Sequence, residues 1–348
     1  MNLPTTLPHL CRFLWLSLAL CCLGLPGCNQ TSTDIGTANN TASLKIGMMP
    51  KLVGISFFDA TGRGAQQAAD ELGVDLYYNG PTEDSVEQQA AMVNTWVARG
   101  FDVIAIAPND PDSIAPTLKA ARDAGCVVLT WDTDANAEKS GRQLFVNHTP
   151  NDGIANTLID MMVAGAADDD GKLRGKFVII SGTTTAANQN TWMSLMLPKL
   201  QAEHPECELL ETLYPTENER KARVQTAELL QAHDDLKGIW AITSVALPAA
   251  AKAVEDANRG GQVCVTGLSL PSLMRDYVKR DTVEQFALFH VEDLGYLTVQ
   301  MAKLLAEGNL TEGEHDLGHL TGVRVQGQEA ILGDPLVFDR ANIDDFEF

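Results

Sequence analysis

The sequence predicts an α/β protein of two doubly wound parallel-sheet lobes joined by a three-segment hinge. Three observations carry this expectation. From residue 44, short β-rich apolar runs alternate with stretches of helical periodicity. The alternation restarts near residue 149, giving two similar halves. After Gly267 further elements follow, enough to complete each lobe.

Strands of the first half are expected at Leu44–Met49, Val74–Tyr78, Val103–Ala107 and Val127–Trp131. Between them, Val86, Ala90, Val93 and Val97 fall on one helical face, and Gly100 stops that helix. Ile114, Leu118 and Ala121 repeat the pattern up to Gly125. Strands that are apolar throughout imply a parallel sheet covered on both faces, and right-handed crossovers make it doubly wound. In the second half, helices are expected at Asp152–Ala166, Asn190–Glu203, Glu217–Ala232 and Leu247–Ala257. They alternate with strands at Phe177–Ser181, Glu208–Leu213, Gly238–Ile242 and Val263–Thr266. A helix to Lys279, a strand at Glu284–Phe289, a helix to Leu305 and short strands to Phe338 follow. The expected division is a first lobe of residues 44–148 plus 269–318 and a second of 149–268 plus 319–348. The chain then crosses between lobes near 148, 268 and 318–322, with His148 at the first join.

The N-terminus reads differently. Arg12 precedes an apolar run from Phe13 to Leu25, too short to cross a hydrocarbon core of about 30 Å. A short apolar run behind a basic residue reads as a signal peptide over residues 1–28. The run ends Leu25-Pro26-Gly27-Cys28, which resembles a bacterial lipobox with Cys28 as the acylated residue; an ordinary secretory signal with a chance cysteine is the alternative. Residues 29–43 are small and polar, as in a flexible tether. The expected location is the periplasm or cell surface, with membrane attachment through the lipid alone.

Composition narrows the partners. Lys and Arg total 25 against 46 Asp and Glu, a net charge of −21, which opposes nucleic acid and anionic lipid and is compatible with a neutral ligand. Four of the seven cysteines lie in the leader, and the odd remainder of Cys126, Cys207 and Cys264 gives no disulfide framework.

In an open parallel sheet, ligands sit beyond the carboxyl ends of the strands. The loops there supply the candidate site: Lys51, Phe57 and Phe58 after the first strand, Asp110 after the third and Asp132 after the fourth. The second half adds Asn188, Gln189, Ser244 and Ser269, and Phe289 follows the late strand. Carboxylates, amides and hydroxyls suit a polyol, and aromatic rings cover the C–H faces of a sugar. Blander roles compete: helix capping for Asp110 and Asp132, core packing for the phenylalanines and Trp192, solvation for Lys51. His315 and His319 have helical spacing, but Gly318 and the acidic loop around them argue against a metal site. Asp168–Asp170 reads as a solvated turn.

At these loops the runs PKLVGISFF, GAQQAADELGV, YNGPTEDS, VLTWDTD, ANQNTW and VALPAAA resemble type I periplasmic binding proteins. The resemblance spans about residue 44 to 348 and is to the branch that holds rhamnose-binding proteins and receptors for the quorum signal autoinducer-2. It implies a monomeric protein that binds a small molecule between its lobes and delivers it to the permease subunits of an ABC transporter. It implies no cofactor. Against the autoinducer-2 receptors, Lys51, Asp132 and Gln189 match residues that contact ligand. Asn188 stands where those receptors carry aspartate, and Ile242 and Ser244 replace a Pro-x-Ala segment. The stretches Thr185–Trp192, Ser244–Pro248 and Asp293–Leu297 are more similar to the rhamnose-binding side. The resemblance therefore implies rhamnose or a related deoxy-sugar, with autoinducer-2 as the alternative. A sugar-processing enzyme is a third reading, but no nucleophile elbow, phosphate loop or zinc set supports it.

Overall fold

The computed structural model describes residues 43–348. The first lobe opens with β1 (Lys45–Met49), α1 (Ser56–Leu72), β2 (Asp75–Tyr78), α2 (Val86–Ala98), β3 (Val103–Ile106), α3 (Ala115–Asp123), β4 (Val127–Trp131), α4 (Ala137–Ser140) and β5 (Leu144–Asn147). The second lobe follows with α5 (Asn151–Ala166), β6 (Gly175–Ile180), α6 (Ala187–Glu203), β7 (Cys207–Leu209), α7 (Glu219–Ala232), β8 (Leu236–Ala241), α8 (Ala246–Asp256), β9 (Cys264–Gly267), α9 (Pro271–Lys279) and β10 (Phe286–Leu288). The chain then returns to the first lobe for α10 (Val291–Glu307), β11 (Gly313–Leu317), β12 (Leu320–Gln326) and β13 (Glu329–Ile331). It ends in the second lobe with β14 (Leu336–Phe338) and a 3₁₀ turn, Ile343–Asp345.

The first sheet has eight strands in the order β11-β12-β13-β5-β4-β3-β1-β2. Its β1–β5 pairs are parallel, and β3 is buried along its whole length, as a strand covered on both faces must be. The second sheet runs β7-β6-β8-β9, all parallel. The α/β two-lobed architecture read from the periodicity is the one observed.

Two crossings differ from the expected places. The first does run through 148–150, between β5 and α5. The second lies at 289–290 rather than 268. Strand β10 pairs antiparallel with β14, and Ala287 bridges Leu268 beside β9, so residues 269–288 belong to the second lobe. Helix α9 goes with them, since Ser272 N–H donates to the Phe348 carbonyl. The third crossing lies at 332–335 rather than 318–322, because β13 pairs in parallel with β5 and keeps 319–331 in the first lobe. Cys28, the leader and the tether up to residue 42 lie outside the described residues.

Helices α1 and α10 pack against each other over one face of the first sheet, and two glycines permit their close approach. A Cβ on Gly64 would lie 1.8 Å from the Glu292 carbonyl oxygen, and one on Gly295 would lie 1.9 Å from the Thr61 carbonyl oxygen. Both neighbours are backbone and cannot swing aside. The helical propensity that alanine would gain over glycine, about 1 kcal/mol, is smaller than the overpacking it would cause. Gly64→Ala should therefore destabilise the protein by about 1–3 kcal/mol, read as a lower midpoint in urea unfolding with an unchanged slope.

Candidate functional site

Beyond the carboxyl ends of β1, β4, β6 and β8, the two lobes face each other across a cleft with about 490 Å³ of space free of protein atoms, counting space open to solvent. Its polar lining is Lys51 and Asp132 from the first lobe and Asn188, Gln189, Glu217, Thr243 and Ser244 from the second. Its apolar lining is Ile55, Phe57, Phe58, Trp192, Ile242, Leu268, Leu288 and Phe289.

Lys51 is 8% exposed. Its ammonium sits 3.8 Å from the Asp132 carboxylate and donates across the cleft to Asn188 Oδ1 at 3.3 Å. A buried cation requires such partners, because desolvation of an unpaired charge is prohibitive. The Lys51 loop is braced from behind. Asn109 Nδ2 donates to the Lys51 carbonyl at 3.0 Å, and Gln89, fully buried on α2, accepts from Asn109 N–H at 2.9 Å and donates to the Ala107 carbonyl at 2.8 Å.

Asp132 is held in the left-handed region, at φ 61°, its N–H donating to the Val146 carbonyl. This conformation is uncommon outside glycine, although Asp tolerates it better than most residues, and it turns the side chain toward Lys51 at the strand end. Burial pushes the Asp132 carboxyl up, and the Lys51 charge opposes that. Asn188 and Gln189 fall in the first turn of α6, which starts at Ala187, earlier than the periodicity places it. Asn188 Oδ1 accepts from Lys51 and from Gln189 N–H, while its Nδ2 points at the Asp132 carbonyl at 3.5 Å. With Thr185 Oγ1 donating to the Asn109 carbonyl at 3.0 Å, these bonds hold the lobes closed on each other.

The aromatic wall is assembled from both lobes. Phe57 and Phe58, in the first turn of α1, pack edge to face with ring centroids 5.0 Å apart, and Phe57 meets Phe289 at 5.8 Å. Phe289 lies on the second crossing and stacks on His148 of the first, centroids 3.8 Å apart and planes within 4°. His148 is 1% exposed and neither ring nitrogen has a hydrogen-bond partner, so burial pushes its pKa down to about 3, helped by the Lys51 charge.

Eight of the ten residues expected at the site line this cleft: Lys51, Phe57, Phe58, Asp132, Asn188, Gln189, Ser244 and Phe289. Asp110 does not. Its Oδ1 accepts from Asp112 and Ser113 N–H, a local turn that holds the side chain away from the cleft. Ser269 is fully buried behind the cleft, where its hydroxyl donates to the Ser244 carbonyl at 2.9 Å and braces that loop. Glu217 and Thr243 were missed. The loop after β7 is another carboxyl end of a strand, and the same topological rule would have pointed to it.

A model of the periplasmic binding protein domain matches residues 46–310. The chain belongs to the periplasmic binding protein family. As such it is a binding protein and not an enzyme. The D-ribose/D-allose-binding protein of Pseudomonas aeruginosa is 27% identical to this periplasmic binding protein, over 78% of the chain and 85% of the relative. An ABC transporter solute binding protein from Clostridium phytofermentas, solved with bound L-rhamnose, superimposes with a TM-score of 0.81 at 28% identity, covering 87% and 98% of the two chains. LsrB from Clostridium saccharobutylicum, solved in complex with AI-2, gives a TM-score of 0.82 at 23% identity over 87% of this chain and all of the other, a likeness of fold.

The His148 environment sets a pH dependence. Its folded pKa lies below the unfolded value near 6.5, so the unfolded chain takes up a proton that the folded chain refuses. The stability this residue contributes is complete above pH 6.5 and is lost as pH falls toward about 3. Between pH 6.5 and pH 5 the loss should be about 2 kcal/mol, at roughly 1.4 kcal/mol per unit. Urea unfolding at both pH values should show that component in the wild type and not in His148→Phe.

Proposed function

We propose that this protein is the sugar-binding component of an ABC-type importer, working outside the cytoplasm, and that its ligand is rhamnose or a related deoxy-sugar. The observation that carries the reading is the mixed lining of the cleft. Lys51, Asp132 and Asn188 give and receive hydrogen bonds there, and Phe57, Phe58 and Phe289 add apolar ring surface. A deoxy-sugar has matching groups, hydroxyls together with a methyl and C–H groups. The relative solved with L-rhamnose supports the ligand class.

Autoinducer-2 is the second reading, favoured by Lys51, Asp132 and Gln189 standing at the cleft together. Asn188 supports the sugar. Its amide accepts from Lys51 while pointing its NH₂ at the Asp132 carbonyl, and a carboxylate in that place has no hydrogen to offer. Calorimetry with rhamnose, other sugars and autoinducer-2 decides between them. The expected result is tighter binding of a deoxy-sugar. Heat from autoinducer-2 alone would overturn the reading. Asn188→Ala should weaken sugar binding by about 5- to 150-fold, equivalent to about 1–3 kcal/mol, and Asp132→Ala at least as much.

The closed geometry supports delivery by hinge motion. Bonds from Asn188 and Thr185 join the lobes when the cleft is shut, so a ligand touching both lobes favours that state over an open one. Cys28 is the proposed lipid attachment. Cys28→Ser should move the protein from the membrane fraction to the soluble fraction. Retention of the variant at the membrane, together with a wild type that lacks lipid mass, would refute the anchor.

A further inference from the structure

Glu217 belongs to the polar lining of the cleft without an assigned task. It follows Thr216, and both residues are left-handed, at φ 60° for Thr216 and 51° for Glu217. A β-branched threonine resists that conformation, so the loop is held against its local preference. The holding contact is Thr216 N–H donating to the Gly182 carbonyl at 2.9 Å. Gly182 does more than accept that bond. A Cβ on it would lie 2.3 Å from Glu217 Oε1, so the missing side chain makes the space in which the carboxylate lies.

Two polar side chains, Gln189 and Thr243, lie beside the carboxylate and favour its charged form. Gln189 Oε1 accepts from Ser181 Oγ at 2.7 Å and from Gly182 N–H at 2.8 Å, which leaves its NH₂ group for other partners. Thr243 Oγ1 accepts from Ala246 N–H at 3.0 Å. A carboxylate has about four acceptor positions, more than these two neighbours can fill. Among the described residues no lysine or arginine forms an ion pair with Glu217; Lys51, the cation of the cleft, is spent on Asp132 and Asn188. Burial pushes the Glu217 carboxyl up, opposed by the Lys51 charge. A partly buried carboxylate lining a cavity is a site for a donor.

We propose that Glu217 is a ligand-binding residue whose carboxylate accepts a hydrogen bond from one sugar hydroxyl and thereby selects for a hydroxyl at that ring position. Gln189 and Gly182 are then positioning residues, one orienting the carboxylate and one leaving room for it. Asp132 and Glu217 approach the cavity from opposite lobes, so the ligand presents hydroxyls to both. The inference rests on the sugar-binding reading proposed above.

Calorimetry on wild type, Glu217→Gln and Gly182→Ala tests it, using rhamnose, D-fucose and D-ribose and then the single-deoxy analogues of whichever binds best. Glu217→Gln should weaken that sugar about 10- to 100-fold, with the unliganded melting temperature within a few degrees of wild type. One analogue, lacking the contacted hydroxyl, should bind wild type and Glu217→Gln equally. Gly182→Ala should show the same loss and the same insensitive analogue, which keeps the test sound if Glu217→Gln folds poorly. Wild-type binding that Glu217→Gln leaves unchanged would overturn the role of Glu217 alone. So would an equal loss for every analogue, which marks a bracing role. A wild type that binds none of the sugars would overturn the sugar reading and this inference together.

Discussion

A buried ammonium has to be neutralised by groups that reach it, and in this protein the groups come from two lobes. Lys51 finds a carboxylate, Asp132, in its own lobe and an amide oxygen, Asn188, in the other. Much of the first lobe can be read as support for that arrangement. Gln89 and Asn109 fix the lysine loop, and the left-handed turn at Asp132 delivers the carboxylate. Opening the cleft would take Asn188 away and leave Lys51 with one partner and more water. Exposure to water would offset part of the lost bond.

The fold was legible because its strands are apolar throughout and its helices are periodic, and these patterns survive without knowledge of which strand pairs with which. The crossings were less legible for the same reason. Phe286–Leu288 is buried as completely as β3, and nothing in three apolar residues says which sheet they join. The partner of β10 is β14, about fifty residues later, and the antiparallel bond to it decides the lobe. The hairpin of β11 and β12 extends the first sheet through β13 and β5, again a pairing that periodicity does not encode.

The site followed the rule that strand ends carry ligands, and it departed from the rule where short-range bonding won. Asp110 sits beyond β3, yet two backbone N–H groups within three residues capture its carboxylate. Ser269 sits beyond β9, yet it turns away to hold the Ser244 loop. Glu217 was hidden in the opposite way. The periodicity marks it only as the start of a helix, and the missing side chain of Gly182, thirty-five residues earlier, makes room for it beside the cleft.

The hinge and the aromatic wall share a residue, and this joins recognition to motion. Phe289 presents its ring to the cleft while lying on the second crossing, and its face is covered by His148 from the first. Any rotation of one lobe against the other turns these two segments and so disturbs a stack 3.8 Å deep. On the proposed reading, a ligand resting against Phe289 would hold the ring that joins the two crossings. His148 adds a cost that a hydrocarbon ring would not, since both its nitrogens are buried without partners in the closed form. Movement that gave either nitrogen a partner would recover that cost, so the stack that stabilises closure also carries a penalty that keeps it reversible. A transport protein has to release what it binds, and a hinge packed entirely with hydrocarbon would lack that penalty.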